Sequence, residues 1–133
     1  MPANALDGSN VVILVGDLSG PPRRRHLPSG DDLVEFDVTT RGASGTGSVP
    51  VAWFAPGPDA DVIDAGTPVA VAGHVRRRFF RTGGATQSRT EVVAARVIVG
   101  GRPSSVARLR ALVAATIGGS DTRSSGARPS RPV

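Results

Sequence analysis

Cysteine, lysine and tyrosine are absent from this sequence, and its aromatics are one tryptophan and four phenylalanines. Without cysteine there are no disulfides, no thiolate metal ligands and no cysteine nucleophile. Without lysine there is no phosphate-loop lysine, no Schiff base and no lysine-assisted serine chemistry. No run approaches the roughly 18 uncharged apolar residues of a membrane span. The N-terminus lacks a basic region followed by an apolar stretch, so no export signal is expected and the cytoplasm is the expected location. His26 and His74 lack metal-ligand spacing, Asp31-Asp32 have no partner acid or base, and Ser44 lacks the second glycine of a nucleophile elbow. The sequence therefore predicts no metal, no cofactor, no small-molecule substrate and no enzymatic activity.

What is present is arginine. All sixteen basic residues are arginine, and the net charge is +5. The charge is unevenly spread. Residues 1–75 carry four arginines against nine acidic residues, whereas residues 76–102 carry seven against Glu91 alone. A basic segment on an acidic body points to a polyanionic partner more firmly than overall charge does.

That basic segment belongs to the stretch from Val69 to Val99. Val69, Val71 and Val75 share one parity, the mark of a strand. Gly83-Gly84 interrupts it, and Thr90-Glu91-Val92-Val93 starts a second β-branched run. The pattern predicts an arched hairpin joined by an eight-residue connection from Thr82 to Arg89. On its even face Arg76, Arg78 and Phe80 stand in line, cations followed by a flat ring. Phosphate neutralisation beside a stacking platform is what single-stranded nucleic acid requires; the alternative is a hairpin with a solvated basic face and two core phenylalanines. Phe79 points the other way and is expected in the core.

The remaining chain supplies a small β domain. Asn10 to Leu18 is a continuous apolar run, read as a strand covered on both faces. Arg23-Arg24-Arg25-His26 reads as a loop that is either solvated or in contact with the ligand. Leu33 to Thr40 alternates, with Val34, Phe36 and Val38 inward and Glu35, Asp37 and Thr39 outward. Those outward acids would repel a phosphate backbone. Arg41 to Ser48 reads as a flexible Gly/Ser loop, and Val49 to Phe54 as the next strand. Trp53 shares the parity of Val49 and Val51, so it is either a core residue or a stacking platform. Pro56 to Gly66 allows at most two helical turns.

Five strands with a short insert fit an all-β, partly open Greek-key barrel of the OB-fold type, although strand count alone would also allow an SH3-like barrel or a sandwich. A helix from Ser105 to Ile117 follows, with Val106, Leu109, Val113 and Ile117 on one stripe and Gly118-Gly119 as its stop. The expected organisation is a flexible lead over 1–9, the barrel over 10–101, an amphipathic helix over 102–119 and a disordered basic tail over 120–133.

Several segments carry a family likeness. Asn10-Val11-Val12-Ile13-Leu14-Val15-Gly16-Asp17-Leu18 resembles the opening strand of the bacterial single-stranded DNA-binding proteins. Pro22, Arg25, Pro28, Ser29 and Gly30 resemble that family's D-P-x-x-R-x-x-x-x-G loop. Val51-Ala52-Trp53 is similar to its V-V-A-W, Gly73 to Arg78 to its G-x-L-x-x-R, and Thr90-Glu91-Val92-Val93-Ala94 to its T-E-V-V-A. The likeness spans residues 10–99, with the five pieces in order.

It implies an OB-fold homo-oligomer, tetramer or dimer, that binds single-stranded DNA without sequence preference in replication, recombination or repair, associated with the nucleoid. It places Trp53 and Phe80 at stacking positions and Arg76 and Arg78 at backbone-contacting ones. Arg81 and Arg25 complete the expected contact set. The chain departs from the family in three respects. It has no aromatics at Thr39-Thr40-Arg41 or Ser48-Val49-Pro50, its insert is shortened, and it ends in a basic segment instead of an acidic tip. These departures suit a divergent paralogue, and they leave room for a protein-interaction module that has lost DNA affinity.

Overall fold

The computed structural model describes residues 8–100 and 102–122. Strand β1 (Val12–Leu18) is followed by β2 (Arg23–His26), β3 (Asp32–Gly42) and β4 (Gly45–Phe54). A single 3-10 turn at Pro58–Asp61 leads to β5 (Pro68–Thr82), β6 (Ala85–Val99) and helix α1 (Pro103–Thr122). The sheet order is β1-β5-β6-β4-β3-β2, and it closes where Asp17 and Leu18 of β1 pair with Thr39 and Val38 of β3. The result is the expected OB-type architecture: a closed barrel of five strands, with β2 added on the edge of β3.

Alternation decides what fills the barrel. Val34, Phe36 and Val38 of β3 meet Val51 and Trp53 of β4, Val69 and Val71 of β5, and Val92 and Val97 of β6. Leu14 and Leu18 enter from β1, and Ala60 and Ile63 join the core from the segment between β4 and β5. The β1 run is covered on both faces only in part, because Val15 remains exposed.

Two glycines permit the closest strand approaches. A Cβ on Gly16 would lie 2.0 Å from the carbonyl oxygen of Thr39, where β1 closes onto β3. A Cβ on Gly73 would lie 2.0 Å from the carbonyl oxygen of Val93, beside the register shift at Ala72/Gly73. Backbone must move to admit even a methyl group. Gly73→Ala should therefore lower stability by about 1–3 kcal/mol, the usual range for overpacking. A denaturant midpoint equal to the native one would show that the bulge yields freely.

Both hairpins are tighter than the sequence predicts. The β3–β4 ladder runs to Gly42↔Gly45, so the expected loop from Arg41 to Ser48 is strand apart from the Ala43-Ser44 turn. The β5–β6 ladder runs to Thr82↔Ala85, leaving only Gly83-Gly84 as the turn. Their φ values of 60° and 82° supply the two positive dihedrals that a two-residue hairpin turn demands. The expected eight-residue connection is thus replaced by paired strand.

Helix α1 docks on the outside of the same chain's barrel. Val106 and Leu109, with Val113 beside them, pack on Ala70, Ala72, Ile13 and Ile98. The small side chains of Ala70 and Ala72 let the helix lie close to β5. Pro103 stands at the first helical position, where its missing N–H costs nothing. The helix continues through Gly118-Gly119 to Thr122, so the predicted stop does not end it. Residues 1–7 of the expected lead, residues 123–133 of the expected tail and the side chain of Ile117 lie outside what is described.

Candidate nucleic-acid interface

Beyond Val75 and Val92 the strands of β5 and β6 pair only with each other. Residues 76–82 and 85–91 form a two-stranded arm of seven residue pairs, about 20 Å long at roughly 3.3 Å per residue. Asn10 fixes its base: the side-chain amide donates to the Val75 carbonyl (2.7 Å) and accepts from the Val75 N–H (2.8 Å). The side chain thereby continues the β1–β5 ladder past Val12↔Gly73.

Cross-strand register sorts the arm into two faces. Arg76↔Glu91, Arg78↔Arg89 and Phe80↔Gln87 share one face; Arg77↔Thr90, Phe79↔Ser88 and Arg81↔Thr86 share the other. On the first face Glu91 is 2% exposed and gathers three guanidinium groups. Arg76 Nη2 donates to Glu91 Oε2 at 2.6 Å. Arg78 Nε stands 3.5 Å from the same oxygen, and Arg89 Nε 3.8 Å from Oε1.

Rings flank this cluster. The guanidinium of Arg76 lies over Phe54 at 5.3 Å from the ring centre, and that of Arg78 over Phe80 at 5.6 Å. Both distances fall within cation–π range. The face therefore runs ring, cation, cation, ring, and Phe80, Arg76 and Arg78 come together as their parity predicts.

Trp53 requires a correction. It is 8% exposed within the barrel core, so it offers no open ring to a base. Its parity with Val49 and Val51 turns it inward, and the next residue, Phe54, takes the outward position. The sequence pattern does not single out Phe54, although the opposite parity of adjacent residues already sends one of the pair outside. Phe79 also departs from expectation. It is 65% exposed, with Arg77 over its ring at 5.5 Å. Both arm phenylalanines lie beyond the barrel, where neither parity leads into a core.

Arg81 is tied to the tip: its Nη2 donates to the Gly84 carbonyl at 2.9 Å. It braces the turn, apart from the cluster at Glu91. Arg25 lies on β2, on the edge of β3 away from β4, where its Nε sits 3.3 Å from Glu35 Oε1. Arg23 stands 3.9 Å from Asp37. The outward acids of β3, expected to repel phosphate, are thus neutralised by the segment read as a loop. Arg24 turns the other way and donates to the Ala60 carbonyl. It forms one wall of a cleft of about 450 Å3 shared with His26, Pro56, Pro58 and Asp61.

Among the described residues no group of three or more His, Asp or Glu is gathered to hold a metal ion. No described helix is long and apolar enough to cross a membrane. No protein-family model matches this sequence, and no curated protein matches it either.

Proposed function

We propose that this chain binds single-stranded DNA without sequence preference, by arginine–phosphate contacts and aromatic stacking along the arm. The observation that carries the reading is the row of Phe54, Arg76, Arg78 and Phe80 on one face, its two arginines paired to a buried carboxylate. Every base has a π-face, so rings and guanidinium planes hold bases without reading them. The arginines neutralise the backbone between them. The family likeness of residues 10–99 supports the same reading. With it come a homo-oligomer, tetramer or dimer, and a place in replication, recombination or repair at the nucleoid.

A protein-docking module is the second reading, favoured by the burial of Trp53 and by the acids that already engage Arg23, Arg25 and Arg76. Anisotropy of a labelled oligo-dT separates the two. The DNA reading predicts saturable binding that duplex DNA competes for poorly; the docking module predicts none. Trp53 fluorescence should stay nearly constant during the titration, because its ring is enclosed. Strong quenching would mean that the barrel opens on binding.

A further inference from the structure

We propose that Glu91 is a positioning residue that turns Arg76, Arg78 and Arg89 into one preformed seat for a phosphate group. The seat rests on the DNA reading, with a phosphodiester of the strand as its occupant, but it has a signal of its own. Three observations point to it.

The first is charge. Three guanidinium groups meet one carboxylate, and Glu91 is the only acid they contact among the described residues. Two positive charges remain uncompensated at one spot. The second is unused donors. The Nε atoms of Arg76, Arg78 and Arg89 are enclosed and make no hydrogen bond, so an anion would be met through the Nη groups. Of the three side chains only Arg76 makes a hydrogen bond to the carboxylate. Each guanidinium offers five N–H donors, and a phosphate supplies several acceptor oxygens.

The third is confinement. The three side chains are only 37–39% exposed, and two of them lie against Phe54 and Phe80. Flexible side chains that are already ordered lose less freedom when a ligand arrives. A buried ion pair is a weak source of stability, since packed apolar residues in its place often do as well or better. As a clamp for three cations the position of Glu91 has a purpose.

Glu91→Gln gives a test with opposite signs. The substitution removes a negative charge from a face that binds an anion, so simple electrostatics predicts tighter binding. Positioning predicts the reverse: oligo-dT affinity about tenfold weaker, equivalent to one lost charge-assisted contact. A folded Glu91→Gln chain that binds as tightly as the native one, or more tightly, overturns the proposal. If that variant fails to fold, Arg89→Ala decides. It should flatten the dependence of log K on log salt by about 0.7, and a native slope overturns the seat.

If the native chain does not bind oligo-dT at all, the DNA reading falls and inorganic phosphate becomes the probe. Titration while observing the arginine Nε–H resonances should then shift those of Arg76, Arg78 and Arg89 together. Resonances that do not move overturn the seat.

Discussion

A chain that ends at Gly100 should be about 3–6 kcal/mol less stable than the full chain, because burying each Val or Leu contributes about 1.5–3 kcal/mol. The cut removes Val106 and Leu109, both buried, together with the partly buried Val113. It also uncovers Ala70, Ala72, Ile13 and Ile98 on the barrel wall. A loss of that size is a large share of the roughly 5–15 kcal/mol that holds a domain of this kind together. Urea unfolding of the two chains gives the difference. Equal midpoints would mean that the helix rests on the barrel without stabilising it.

The double substitution Phe54→Ala with Phe80→Ala should weaken oligo-dT binding by about 2–6 kcal/mol, taking roughly 1–3 kcal/mol for each stacked base. Phe80 lies on the arm outside the core, and Phe54 is 36% exposed, so most of the effect should appear in affinity. Phe79→Ala is the control. Its ring is the most exposed of the three but faces the other side of the arm. It should change affinity much less. A loss of about 1–3 kcal/mol from Phe79→Ala, with the double variant unaffected, would place the strand on the opposite face.

The barrel was legible because its strands must bury one face. Val34, Phe36 and Val38 alternate with Glu35 and Asp37, and the structure places them as that period requires. The helix was legible from Val106, Leu109 and Val113, though a stripe alone does not say which surface it covers. Strand β2 was hidden because Arg23 to His26 contains no apolar residue. It forms because its backbone completes the edge of β3 and its arginines meet Glu35 and Asp37.

The length of the arm was hidden for a related reason. Ala85 to Thr90 shows no inward-facing apolar set, and an arm in solvent needs none. The line of Arg76, Arg78 and Phe80 followed from parity. Glu91 did not stand out, because its burial depends on arginines brought from two strands. Phe54 was obscured by Trp53: a lone tryptophan draws the eye, but its parity belongs to the core.

Salt dependence of oligo-dT binding decides most directly whether the arm's arginines hold a phosphate backbone. Arg76, Arg78 and Arg89, which share the proposed binding face, offer about three contacts per chain. At roughly −0.7 per contact for single strands, log K should fall with log salt at a slope of about −2. Arg78→Ala should flatten that slope by about 0.7 while leaving the fold intact. A native slope of about −2 that responds to Arg78 is the predicted result. Binding that is absent, or that does not change with salt, would contradict a nucleic-acid interface on this arm.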